Sequence, residues 1–213
     1  MNIVVVGGGE PGKFGNDFCN LAREQGHNVF ILSHKDYKNN DPKHLHTDYT
    51  ERQFVVETFN QLVNGIDNID IFIYNGPGEG YPSGPEYFKS TAKINSIAWH
   101  MNLYITVILP HVLSIEALKK MSKGSKIVFL TTSMPLDRDD YTDMAGYAGL
   151  KAAQTHLMVA LAHHNDKEAI VSSVAPHFPY EDRPAYLNIF NKVYDYILTF
   201  DESKNGCIQP IHW

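Results

Sequence analysis

Tyr147-Ala148-Gly149-Leu150-Lys151 sets a phenol and an ammonium four residues apart, which on a helix puts both on one face. A phenol with the ordinary pKa of about 10 is a poor proton donor and acceptor at neutral pH. A cation beside it stabilises the phenolate and brings the group toward the range where acid–base catalysis works. On its own this spacing also recurs on many helices as surface decoration. Two other features give it weight: an apolar run that ends in hydroxyls, Thr131-Thr132-Ser133, and a glycine-rich turn near the start of the chain.

That turn is Gly7-Gly8-Gly9-Glu10-Pro11-Gly12, with the spacing G-x-G-x-x-G. It follows the apolar run Ile3–Val6 and opens a segment of helical period, the setting in which the spacing signals dinucleotide binding. Glycine allows the sharp turn and the close approach of a pyrophosphate, and the helix N-terminus offers N–H groups and the positive dipole end to the anion. Gly15 adds a further glycine three residues on. A strand-to-helix turn with no ligand is the plainer alternative. After the second apolar run the chain reads Leu32-Ser33-His34-Lys35, with no carboxylate where an adenosine ribose would need one. His34 and Lys35 suit a 2′-phosphate instead. The reading therefore favours NADP(H), with NAD as the alternative, and the bland option is a solvated basic turn beside Asp36.

These residues need a scaffold, and the chain alternates between two kinds of segment. Ile3–Val6, Val29–Leu32, Ile69–Tyr74, Lys126–Leu130 and Ile170–Val174 are short apolar runs of the buried-strand type. Between and after them lie segments of helical spacing: Asn16–Glu24 ended by Gly26, Phe54–Leu62, Ile94–Leu118, Met144–His163 and Leu187–Leu198. Pro110 is expected to kink or break the third of these. A terminal apolar run surrounds Ile208–Ile211. The alternation predicts a doubly wound α/β sandwich around a mostly parallel sheet of about seven strands. With 213 residues, no repeat and no linker, a single domain over 1–213 is expected.

Composition narrows the class further. Eighteen basic against 24 acidic residues give a formal net charge of −6 and a pI near 6.0, so neither nucleic acid nor an anionic membrane is an expected partner. Cys19 and Cys207 stand near opposite ends without metal spacing, which fits a reducing, cytoplasmic compartment. The start of the chain lacks the basic region of a signal peptide. The most apolar stretch, Leu103–Leu109, is too short to span a membrane and runs into Pro110. Eleven histidines are present, with His44 and His46 on one strand face and His163-His164 at a helix end. No Cys, Asp or Glu set at ligand spacing accompanies them, so no metal site is expected.

In order and approximate spacing these pieces resemble the short-chain dehydrogenase/reductase family nearly end to end. The landmarks are the glycine turn, Asp48 after a third short strand, Ile69 through Gly76, Met101-Asn102-Leu103, Ile127 through Ser133, Tyr147/Lys151, Val174-Ala175-Pro176 and Asn205-Gly206-Cys207-Ile208. The resemblance implies a Rossmann-like three-layer sandwich and an NAD(P)(H)-dependent carbonyl reductase or alcohol dehydrogenase acting on a small carbonyl or alcohol substrate. It implies that Tyr147 exchanges a proton with the substrate oxygen while hydride moves to or from the nicotinamide. Lys151 would hold the nicotinamide ribose and lower the phenol pKa. Ser133 or Thr132 would orient the substrate oxygen, and Asn102, with Asn95 as the alternative, would hold a relay water. Gly7, Gly9, Gly12, Phe14, Ser33, His34, Lys35, Asp48, Asn75, Gly76 and Pro176 would line the cofactor together with Tyr147 and Lys151. Relatives commonly form homodimers or homotetramers, and Ile211 and Trp213 suit such packing unless they close the monomer's own sheet.

The chain also departs from the family pattern. In the family turn, G-x-x-x-G-x-G, Gly8 and Gly12 fit, but Phe14 stands at the third glycine and Gly15 comes one position late. Thr132 is in register with the family serine, and Ser133 is one residue on. His177 replaces the glycine that normally follows Pro176. Between Pro179 and the last helix only Tyr180 through Tyr186 remain where relatives carry a substrate-covering segment. These departures keep a second reading open, a nucleotide-binding regulatory or scaffold protein of the same fold. A methyltransferase on a related sheet would make Tyr147/Lys151 a coincidence.

Overall fold

Ile3-Val4-Val5-Val6 is apolar on both faces of an extended chain, so such a strand must be covered on both sides. In the computed structural model it forms the first strand of a seven-stranded, all-parallel sheet. The structure describes residues 1–34, 41–76, 96–131, 145–176 and 181–211. The strands are β1 (Asn2–Val6), β2 (Asn28–Ser33), β3 (His44–His46), β4 (Ile71–Tyr74), β5 (Lys126–Leu130), β6 (Ile170–Pro176) and β7 (Ile208–Ile211). Their spatial order is β3-β2-β1-β4-β5-β6-β7, with Ile3 opposite Val29 on one side and Ile71 on the other. The order reverses between β1 and β4, and in open α/β sheets a ligand crevice lies outside the carboxyl ends of the strands at such a point.

The period of two in the strands divides the core between two layers. Val4, Val6, Phe72, Ile127 and Val171 pack under α2 (Arg52–Leu62), α4 (Leu109–Leu118) and α5 (Ala145–His164), while Trp99 and Leu103 of α3 (Ser96–Leu103) pack against Val107 and Leu150. Ile3, Val5, Ile73, Val128 and Val174 face α1 (Phe14–Glu24) and α6 (Arg183–Thr199). The fold is therefore the expected doubly wound, Rossmann-like three-layer sandwich.

Pro110 does not break its helix. Between α3 and α4 lies a π-helical turn, Tyr104–Ile108, closed by a bond from the Leu109 N–H to the Tyr104 carbonyl. The three pieces run on continuously from Ser96 to Leu118. Pro110 has no N–H to give, so in this widened turn the carbonyl five residues back, that of Ile105, lacks a helical donor. The buried phenol of Tyr74 on β4 supplies it, donating to the Ile105 oxygen at 2.5 Å. Burial holds the Tyr74 pKa well above that of an ordinary phenol, so the group stays a donor. Leu103–Leu109 lies within a longer apolar run, Trp99–Leu118, which is long and apolar enough by length and composition to cross a membrane. Its apolarity is used here in packing, since Ile105, Leu109, Leu113 and Ala117 are buried in the core.

The last helix begins four residues before Leu187, the start expected from sequence. α6 begins at Arg183, with Asp182 as N-cap accepting from the Ala185 N–H at 3.1 Å and Pro184 in the first turn. Arg183 and the Tyr186 hydroxyl both bond Asp17 of α1, at 3.0 and 2.9 Å. Residues 181–186 are thus tied to the first helix.

Candidate active site

The glycine turn joins β1 to α1 with almost no room for side chains. Gly7 has φ +86°, and a Cβ there would lie 1.7 Å from the Asn75 carbonyl oxygen. At Gly15 a Cβ would stand 2.5 Å from both the Gly7 oxygen and the Asn75 Nδ2. At Gly8 it would meet the Sγ of Cys19 at 2.8 Å. The glycine that lets helix and strand close up is therefore Gly15. Phe14 sends its ring into the core, 5.8 Å from the Phe18 ring and 5.7 Å from that of Phe190, so toward a ligand it offers only backbone. Asn75, expected to touch the cofactor, clamps the turn: its Nδ2 donates to the Gly7 carbonyl at 2.9 Å and its N–H to that of Val6 at 2.9 Å. Gly76 follows, where a Cβ would strike the Tyr74 ring at 2.4 Å.

The N-cap of α1 is Lys13, whose side chain makes no capping bond. The Asn16 and Asp17 N–H groups both reach the Lys13 carbonyl at 3.1 Å, and the first turn of the helix points its positive dipole end at the switch point of the sheet. A close-packed glycine turn leading to such a helix start fits the pyrophosphate of a dinucleotide. Gly12, with φ +74° and open space around it, keeps the outer part of the turn uncrowded.

Across the sheet, α5 carries Tyr147 and Lys151. The Lys151 side chain is 4% exposed. Its Nζ donates to the Leu130 carbonyl at 3.0 Å and to the Gln154 Oε1 at 3.2 Å. It also stands 5.7 Å from the centroid of the half-buried Tyr147 ring. Burial brings the ammonium down to about 8, so the cation survives at neutral pH but is no longer inert. The geometry brings together the Leu130 carbonyl at the end of β5, the Tyr147 ring and the ammonium. Asn102 is buried on α3, immediately before the π-helical turn. Pro176 closes β6 opposite Ile211 of β7.

No protein-family model matches the chain, and no curated protein matches it in sequence. Solved structures do match over nearly its whole length. A double mutant of a Serratia marcescens short-chain dehydrogenase/reductase superposes with a TM-score of 0.79 at 17% identity, covering 99% of this chain and 96% of that one. Acetoin dehydrogenase from Enterobacter cloacae gives 0.79 at 15% identity, with 99% and 93% covered. BdcA in complex with NADPH gives 0.75 at 17% identity, with 99% and 92% covered. The chain has the short-chain dehydrogenase/reductase fold.

Within that fold the polar groups at the end of β2 are more self-occupied than the sequence implied. Ser33, expected to meet the cofactor, is 1% exposed, and its Oγ is 2.8 Å from the His44 Nε2 on β3. The Leu32 carbonyl accepts from the Gly7 N–H and the Tyr49 hydroxyl, each at 2.8 Å. The His34 ring lies 5.7 Å from that of Tyr49. Asp48 spends one carboxylate oxygen on the Thr50 N–H and hydroxyl, at 2.9 and 2.8 Å, which forms the turn into α2. Lys35, Asn95, Thr132, Ser133, His177 and Trp213 lie outside the described residues. Thr131, just before the candidate hydroxyls, directs both its N–H and its Oγ1 to the Val174 carbonyl, at 2.9 and 3.2 Å. Among the described residues no three His, Cys, Asp or Glu side chains gather as metal ligands.

Sequence reasoning missed Gln154; it noted Gly8 and Gly15 but did not count them among the cofactor-binding residues. Gly15 was visible as a glycine three residues past the motif. Gln154 was visible as a polar residue one turn after Lys151 in an otherwise Ala-rich apolar stretch.

Proposed function

We propose that this protein is an NAD(P)(H)-dependent oxidoreductase that interconverts a small carbonyl compound and its alcohol, with NADP(H) preferred. The observation that carries the proposal is the buried Lys151 ammonium beside the Tyr147 phenol, on the same sheet edge as a glycine turn shaped for a pyrophosphate. The start of α1 would hold the pyrophosphate, His34 with Lys35 the 2′-phosphate, and Lys151 the nicotinamide ribose. When bound, the nicotinamide supplies or accepts the hydride. Tyr147 gives its phenolic proton to the oxygen of the reduced carbonyl, or takes it back in the reverse direction. The Lys151 cation lowers the cost of the phenolate that this leaves. Ser133 or Thr132 orients the substrate oxygen, and Asn102 serves the proton relay.

Fluorescence titration with NADPH and NADH, followed by a carbonyl substrate screen, tests the reading. Tyr147→Phe should abolish turnover and leave NADPH affinity nearly unchanged, and turnover surviving in that variant would defeat the mechanism. Lys35→Ala should cost NADPH affinity more than NADH affinity. A second reading, a regulatory or scaffold protein of the same fold, is favoured by one observation: Ser33 is committed to His44 instead of facing the crevice. Failure to bind either nucleotide would select it. We also propose assembly as a homodimer or homotetramer in the cytoplasm. The exposed Ile108 and Ile115 on the outer side of the long helical run, at 39% and 44%, support the assembly. Light scattering on the eluting protein decides between one copy and several.

A further inference from the structure

A lysine ammonium can donate but not accept, so the atom that Gln154 turns to Lys151 is its amide oxygen, and the amide nitrogen is forced to the other side. Gln154 is 1% exposed, its Oε1 lies 3.2 Å from Nζ, and its Nε2 has no hydrogen-bond partner among the described residues. A buried amide donor left in this way is destabilising, and an aliphatic side chain of similar volume would avoid the cost. The site therefore holds an amide where packing alone would place a hydrocarbon. With the Leu130 carbonyl at 3.0 Å it takes two of the three N–H groups of the ammonium.

We propose that Gln154 is a positioning residue for Lys151: together with the Leu130 carbonyl it fixes the ammonium beside the Tyr147 ring and leaves one N–H for a nucleotide ribose. This rests on the dinucleotide reading above. Gln154 acts through Lys151 and touches no reacting atom. Burial lowers the ammonium toward 8, and among the described residues no carboxylate contributes to the shift. β5 contributes a backbone carbonyl, and α5 contributes the Tyr147 phenol, the titratable group whose ring faces Nζ.

The test follows the ammonium directly. In protein carrying 13C-labelled lysine, the 13Cε resonance of Lys151, assigned by its loss in Lys151→Met, is titrated with pH in the wild type, Gln154→Leu and Gln154→Glu. NADPH titrations are run on the same samples. Removing an acceptor from the charged form should lower the Lys151 midpoint by about one pH unit and weaken NADPH binding about tenfold in Gln154→Leu. Gln154→Glu, which keeps an oxygen and adds a charge, should raise the midpoint and retain binding. An unchanged midpoint in Gln154→Leu overturns the proposal, as does a lowered midpoint with undiminished NADPH affinity. Should Gln154→Leu not fold, the rise expected in Gln154→Glu decides, and its absence is equally fatal. If the wild type binds neither nucleotide, the dinucleotide reading fails. The Lys151 midpoint then still decides whether Gln154 holds the ammonium.

Discussion

Single atoms decide the shape of this crevice, and Gly15 shows how. By intrinsic preference an alanine should improve α1 by about 1 kcal/mol over glycine. Here the added methyl would sit 2.5 Å from the Gly7 carbonyl, a backbone atom that cannot swing aside. Overpacking of that kind costs about 1–3 kcal/mol, so the clash outweighs the propensity. Gly15→Ala is expected to lower stability in chemical denaturation and to abolish NADPH binding. A neutral or stabilised variant that still binds would show that the close approach is unimportant. Gly15 was hard to single out from sequence because G-x-G-x-x-G was already complete at Gly12. Only the fold shows that a further close backbone approach comes one helical turn later. Ser33 is the opposite case. Its place at the end of β2 was legible, but its capture by His44 depends on the register of β3, a three-residue edge strand.

At the scale of elements, the helical run from Ser96 to Leu118 depends on a strand. Tyr74→Phe would leave the Ile105 carbonyl buried without its donor and should cost about 1–3 kcal/mol. Pro110→Ala returns an N–H to the helix. The loss caused by Tyr74→Phe should then be smaller in a Pro110→Ala background, and this coupling can be measured as a double-mutant cycle of unfolding free energies. Additive effects would mean that Tyr74 does not stand in for the missing N–H. The strands of this sheet were readable because β-branched runs buried on both faces have few other solutions. The π-helical turn was not, since its five residues have the same apolar pattern as the α-helix around them. The start of α6 was readable in principle from Asp182 followed by Pro184, but the partner that anchors it, Asp17, lies on α1, far away in sequence.

For the molecule as a whole, the buried ammonium leaves a mark on stability. The Lys151 pKa is near 8 in the folded chain against 10.5 for a free lysine side chain. Between those values the unfolded chain carries the proton and the folded chain has released it, so this group makes stability rise with pH across the window. Below about pH 8 both states hold the proton and the folded state bears the full burial penalty. The rise amounts to at most about 3 kcal/mol. Compared with Lys151→Met, the wild type should gain stability from pH 8 to about 10.5 in denaturant titrations. Parallel pH profiles for the two proteins would rule out a depressed ammonium.

The bond from Tyr74 to Ile105 joins residues 31 positions apart, and this bears on the order in which the chain folds. Helical turns on either side of Pro110 can form locally within about a microsecond, whereas the phenol reaches its acceptor only once β4 has been laid against the helix. The stretch that carries Asn102 is therefore locked in angle to the stretch beyond the proline late in folding. Early species would contain two helices swivelling about one joint, and Asn102 would take its final place only when the sheet beneath it is complete.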